Sequence, residues 1–404
     1  MIKKTGLCLV VLILLLCLTS CDWLFHGRPP GFIEIQCECT GECTDFVEIT
    51  LFIRDRKTTE KVCVSATHLT AKNDRIEDIS PFSRLTNLRE LTLEYCRISD
   101  VTAFNTLIKL ETLVLSGNQI SNIAPLGNLT SLKVLHLNSN EDLSDISHLR
   151  MLINLIDLNL NYNKVTNITP LEGLVNLTDL WLLGNQISDI APLENLTQLS
   201  RLHLGDNRIT DISPIRNLTN LKVLSLSDNE VSDISYLENM VQMDHLLLGN
   251  NKISDISVLE NMPVLDWLNL PGNQFTDITV LSSLTTLTNL FIGNNQISDI
   301  SVLAPLVNLK GLGLSGCQIV DISPIASMTG LRTLDLSNNQ ITDVSVISLL
   351  PELHELYLGN NQITDIASLK SLGYMEEFDI RGNPLTDEQI KELKSAISAR
   401  RFSP

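Results

Sequence analysis

One asparagine returns every 22 residues through most of this chain. It stands at Asn118, Asn140, Asn163, Asn185, Asn207, Asn229, Asn251, Asn273, Asn295, Asn339, Asn361 and Asn383. Asp74, Cys96 and Cys317 fill the same place in their units, and one step, Asn140 to Asn163, is 23 residues. The surroundings repeat as well. One unit reads Leu177-Thr-Asp-Leu180-Trp-Leu182-Leu-Gly-Asn185-Gln-Ile187-Ser-Asp189-Ile190-Ala-Pro192-Leu193 and closes on Leu196. A unit this short cannot bury an apolar face by itself, so copies must stack on one another. Fifteen units over residues 66–385 therefore specify one elongated body instead of two or three globular domains.

Within a unit, the leucines of LxLxx point inward and the residues between them outward, the period of a strand. Each strand pairs in parallel with that of the next coil. The buried Asn is expected to bond backbone groups of its turn that the strand cannot reach. Cys96 and Cys317 then read as buried structural thiols, ten repeats apart and unable to pair with each other. The second half, IxDIxPLxxL, returns the chain, with Pro125, Pro170, Pro192, Pro214 and Pro324 suited to the first turn of a short 3₁₀ or irregular segment. LxxLxLxxN resembles the leucine-rich-repeat consensus. That resemblance implies an α/β solenoid, with a curved parallel sheet on the concave face and short 3₁₀ or irregular segments on the convex face.

The formal charge of −18 leaves no basic stripe for nucleic-acid phosphates. Much of that acidity has a structural position. Asp78, Asp100, Asp145, Asp189, Asp211, Asp233, Asp255, Asp277, Asp299, Asp321, Asp343, Asp365 and Asp387 precede the second apolar pair, with Asn122 and Asn167 in their place twice. Their carboxylates can accept backbone N–H groups of the following turn. Setting these 13 aside moves the formal charge from −18 to −5, so the acidity reads as a ladder and not as a cation site. Sequons such as Asn176-Leu-Thr178 are by-products of the repeat.

The N-terminus has a different character. Lys3 and Lys4 precede an apolar run from Leu7 to Leu16, too short for a comfortable membrane span. Leu18-Thr19-Ser20-Cys21 resembles the lipobox of bacterial lipoproteins. That implies cleavage before Cys21, acylation of its thiol, and stable anchoring by more than one chain. The alternative is an ordinary signal peptide with a cysteine nearby. In some Gram-negative bacteria an Asp after the Cys, here Asp22, marks inner-membrane retention. The organisation is then a signal peptide over 1–20, a tether over 21–31, an N-terminal cap over 32–65, repeats over 66–385 and a helical cap over 386–404. In the cap, Cys37, Cys39, Cys43 and Cys63 form an even cluster that reads, after export, as two disulfides with three possible connectivities. A four-cysteine metal site is the rival, against which the spacing lacks a CxxC. Phe32, Ile33, Ile35 and then Val47, Ile49, Leu51, Ile53 alternate as strands. At the far end Thr386-Asp-Glu-Gln389 reads as a capping box before Ile390, Leu393 and Ile397, with Lys391, Lys394, Arg400 and Arg401 toward the helix C-terminus.

The 22-residue form NxIxDIxPLxxLxxL resembles that of the internalins, bacterial surface proteins whose concave sheet grips host receptors, and that of a eukaryotic protein-phosphatase regulatory subunit. The resemblance implies a protein partner on the concave face, no cofactor, no metal and no enzymatic activity. The immunoglobulin-like domain and wall-sorting motif of the internalins do not follow the repeats here, which speaks against an invasin. Along the outward strand positions, Trp181, Leu183, Arg201, His203, His245, Leu247, Trp267, Asn269 and Phe291 break a run of Thr, Val, Asp, Asn and Ser. Interfaces enrich Trp, Tyr and Arg, so these nine are the candidate partner-binding residues. Packing of the same side chains along the sheet as cross-strand ladders is the competing account. His68, His136, His203 and His245 are too scattered for a metal site, and no HExxH, GxSxG or phosphate-cradling loop is present. The expected function is an adhesin-like binding module anchored by lipid at a bacterial cell envelope. The alternatives are an envelope scaffold or an enzyme-regulating subunit without host contact.

Overall fold

The computed structural model describes residues 32–37, 45–53, 56–72, 75–76 and 78–404. The expected signal peptide, Cys21 with its tether, Cys39, Cys43, Asp74 and the side chain of Cys37 lie outside the described residues.

From Ala66 onward the chain winds as one solenoid. Most coils contribute a three-residue strand, such as Asp179–Trp181, and return through a short 3₁₀ segment, such as Ala191–Leu193. Pro192 sits in the first turn of that segment, where its missing N–H costs nothing. Three residues would not hold as a strand alone. They hold because Leu158, Leu180, Leu202, Leu224, Leu246, Leu268 and Leu290 stand level across seven coils, each paired in parallel with the next. Among the described residues the sheet has 17 strands, all parallel except Phe32–Cys37, which runs antiparallel to Ala66–Lys72. Inside, Leu177, Leu180, Leu182, Ile187, Ile190, Leu193 and Leu196 of one coil are at most 1% exposed, and neighbouring coils supply the same set. Truncating one such leucine to Ala costs about 2–5 kcal/mol.

The asparagine corner closes each coil. Asn229 Nδ2 donates to the carbonyls of Leu204 and Leu226 at 2.9 and 3.0 Å, and its Oδ1 accepts from the Ile209 N–H at 2.9 Å. One side chain thus ties two coils together. Cys96 and Cys317 are buried thiols in this corner, with Cys96 Sγ 3.3 Å from the Glu94 carbonyl. The aspartate ladder is present in 12 coils: Oδ1 of each Asp from Asp78 to Asp365 accepts the N–H two residues on, at 2.8–2.9 Å. Asn122 and Asn167 do the same. For Asp78, Asp100 and Asp233 the next Ser or Thr hydroxyl, then its amide, holds the carboxyl below the usual range. For Asp145, Asp255, Asp277, Asp299 and Asp343 the amide comes first. Asp387 does not belong to the ladder. It opens the C-terminal helix, where a carboxylate suits the helix N-terminus.

The two ends are closed differently. At the front, Phe46–Ile53 pairs antiparallel with Arg56–Cys63 and with Arg75–Ile76, and its buried Val47, Ile49 and Leu51 cover the first coil. Cys63 ends the second of these strands, buried, with Sγ 2.9 Å from Ser65 Oγ. At the back, the helix is Asp387–Ala396, with Thr386 and Gln389 forming the capping box. The reading of 386–404 as helical throughout needs correction. Ile397 is already extended, and Ser398–Ser403 forms a last strand parallel to Tyr374–Asp379. Arg400 and Arg401 lie on that strand, and Arg401 pairs with Glu377 instead of meeting the helix terminus. The open edge of the preceding strand explains the switch, since its unpaired backbone groups need a partner that a helix cannot supply.

Candidate protein-binding face

Register sorts the outward side chains of the sheet into rows. Trp181, His203, Ser225, Leu247, Asn269 and Phe291 form one row; Asp179, Arg201, Val223, His245, Trp267 and Asn289 form the row beside it. Within these rows the rings build two stacks. Trp181 lies on His203 with centroids 4.0 Å apart and planes 3° from parallel. Trp267 stacks on His245 at 6.0 Å and leans on Phe291 at 5.7 Å. Val223 and Ser225, both small, separate the stacks. Phe291 can lie flat because the strand Gly311–Gly313 has no side chain at its outward positions; a Cβ on Gly313 would stand 2.6 Å from the ring.

Around the first stack the chemistry is polar. The Arg201 guanidinium pairs with Asp179, whose other oxygen accepts from Thr178 Oγ1 at 2.7 Å. His203 is only 2% exposed, and its Nε2 has no hydrogen-bond partner among the described residues. Burial, and then the Arg201 charge, pull its pKa from 6.5 down to about 4, so the ring is neutral near pH 7. Toward the C-terminal end the same rows turn acidic. Tyr357 donates to Glu377 Oε2 at 2.8 Å, while burial raises the carboxyls of Asp335 and Glu355.

Sequence profiles of the leucine-rich-repeat family match most of the chain. Paired copies cover residues 108–151, 153–195, 197–239, 219–261, 263–305 and 307–349, and further copies cover 87–108 and 329–385. The chain is a leucine-rich-repeat protein. Among solved structures it is similar to an internalin (inlF) of Listeria monocytogenes, at 36% identity over 73% of this chain and 88% of that one, TM-score 0.69. It is also similar to a leucine-rich-repeat protein of Leptospira interrogans, at 28% identity over 79% and 91%, TM-score 0.64. The ectodomain of the Arabidopsis thaliana receptor kinase GASSHO1/SCHENGEN3, described in complex with Casparian strip integrity factor 2, shares the fold at 21% identity over 83% and 50%, TM-score 0.56. No curated protein matches the chain. The protein is thus an internalin-like member of its family, a class of protein-binding repeat modules.

In this leucine-rich-repeat sheet eight of the nine candidates stand in the two rows, but not equally exposed, and Leu183 follows the strand that ends at Trp181. Arg201 is exposed, and Trp181, Leu183, His245, Trp267 and Phe291 are partly so. His203, Leu247 and Asn269 are not available surface: they are 2%, 4% and 3% exposed. On a sheet of short parallel strands, a large ring in one coil covers the smaller side chain of the next, as Trp181 covers His203. Cross-strand packing and partial exposure therefore coexist. Sequence reasoning missed the Asp179–Arg201 pair and the acidic end at Asp335, Glu355, Glu377 and Asp379, although both stand at outward positions of the repeat and were readable from it.

Proposed function

We propose that this protein is an adhesin-like binding module, held at a bacterial envelope by an acylated Cys21, that engages a protein partner with the concave face of its repeats. The observation that carries the reading is the pair of aromatic stacks, Trp181–His203 and His245–Trp267–Phe291, on an otherwise small and polar sheet. Partly exposed Trp beside an ion-paired Arg is the composition of an interface centre, and stacked rings lose little side-chain freedom on binding. The similarity to an internalin supports the same use of the face. A protein recovered on the folded wild-type chain should be lost with Trp181→Ala and with Trp267→Ala; its retention by both variants, with loss on a convex-side change such as Glu238→Ala, contradicts the reading.

The anchor is tested separately. Cys21→Ala should abolish incorporation of labelled fatty acid, and unchanged labelling removes the lipoprotein claim. Within the cap, Cys37, Cys39, Cys43 and Cys63 pair as two disulfides that close the first coil, a constraint worth about 2–5 kcal/mol per bridge. Unreduced digests should yield these four cysteines only in cross-linked peptides; linear, alkylatable peptides would exclude the pairing.

A further inference from the structure

We propose that the flank of the first five coils, the edge from which the chain enters each strand, docks on an anionic lipid surface. In a protein of formal charge −18 this flank is locally cationic. Arg89, Lys109 and Lys133 surround one acid, Glu111, which is shared by Arg89 Nη1 at 2.9 Å and Lys133 Nζ at 2.6 Å. Among the described residues Lys109 Nζ meets only the neutral Asn87 Oδ1, at 2.8 Å. An open groove of ≈ 700 Å³ runs between these cations, with Asn154, Ile156 and Thr178 on its other side.

The same stretch carries large apolar side chains in water. Ile108, Met151, Ile153, Ile156 and Val175 are between 41% and 59% exposed. Exposed valines recur on later coils, at Val241, Val264 and Val307, so apolar exposure alone does not single out this region. Here five such side chains fall within four coils, beside Arg89, Lys109 and Lys133. Farther along the same edge Lys222, Lys310 and Arg332 are interspersed with Asp244 and Asp266. An apolar knob set among Lys and Arg fits the boundary of an anionic bilayer, where stems and aliphatic groups enter the headgroup layer and the charges meet phosphates.

Reach favours a membrane over an acidic protein as the occupant. Ten residues lie between Cys21 and Phe32, a span of at most about 40 Å when extended. Five coils at about 4.8 Å each add roughly 24 Å. The inference rests on the anchor reading for this proximity alone. A chain held at Cys21 keeps this flank beside the bilayer and leaves the aromatic stacks, farther along the sheet, pointing away from the anchor end.

The test uses the full chain on vesicles of phosphatidylcholine and of phosphatidylglycerol, with hydroxyl-radical oxidation of the exposed Met151 as the reporter and exposed Tyr374, in the last coil, as the reference. Oxidation of Met151 should slow about threefold or more on phosphatidylglycerol relative to phosphatidylcholine, and high salt should reverse it. Tyr374 should not change. Lys109→Gln with Lys133→Gln should remove the difference at unchanged melting temperature. Equal Met151 rates on the two vesicles overturn the proposal, as does equal protection by soluble polyglutamate or by inorganic phosphate. Flotation keeps the two readings apart. Failure to float with phosphatidylcholine counts against the anchor, while protection confined to phosphatidylglycerol still upholds the docking flank.

Discussion

The asparagine corner and the concave rows belong to the same coils yet obey opposite rules. At the corner, Asn229 and Asn251 sit in nearly superimposable settings, each donating to two carbonyls and accepting one N–H. A few ångströms away, the outward positions of the same two coils hold Val223 and Ser225 in one and His245 and Leu247 in the next. The corner is constant because the backbone groups it satisfies recur in every coil and water cannot reach them. Nothing in the fold imposes such a demand on the rows. What repeats along this chain is therefore scaffold, and what varies along it is free to be surface chemistry.

The largest expected effect strikes the constant side. Asn251→Ala strands the N–H of Val231 and leaves the carbonyls of Leu226 and Leu248 with one amide donor each, from Asn229 and Asn273, and should cost about 3 kcal/mol or more in urea unfolding. A loss no larger than that of an exposed substitution would dissolve the contrast between corner and row.

The next effect blurs the contrast, because one row residue is also structural. His203 is neutral and buried, with its pKa near 4 in the fold against 6.5 outside it. As pH falls from 6.5 toward 4 the unfolded chain takes up a proton that the folded ring refuses, so stability should drop by up to about 3 kcal/mol. His203→Gln should flatten that segment of the stability profile. Below about pH 4 the ladder acts in both proteins: carboxyls held low in the fold stabilise it above their unfolded pKa, and that contribution disappears as pH falls through their folded values. An unaltered slope between pH 6.5 and 4 in the variant would mean that His203 is solvated.

The smallest effect sharpens the rule. Cys317 occupies a corner without an amide, so Cys317→Asn can supply donors to the Ile292 and Leu314 carbonyls and an acceptor to the Ile297 N–H. A gain of about 1 kcal/mol is expected. Destabilisation would show that this corner has relaxed around the smaller thiol.

The fold was legible because its instructions are written fifteen times, and register follows once each leucine has an equivalent 22 residues on. The rows were legible for the same reason, down to which residues face outward. The burial of His203 was not. It depends on the rotamer of Trp181 one coil away, and alternation reports the direction of a side chain, not what lies over it. The terminal strand was missed because Ile390, Leu393 and Ile397 keep helical spacing, while Ser398–Ser403 shows no clean alternation. Only the open edge beside Tyr374–Asp379, a property of the assembled sheet, calls for it.

The central claim, that the varied rows bind and the constant corner supports, is tested most directly by measuring affinity for one recovered partner and thermal stability on the same two variants. Trp267→Ala should weaken binding by about 2 kcal/mol or more and leave unfolding near wild type. Asn251→Ala should lower the unfolding transition and, at temperatures where it stays folded, bind almost as wild type. Full binding by Trp267→Ala, with a stability loss as large as that of Asn251→Ala, would contradict the account and make the stacked rings part of the scaffold.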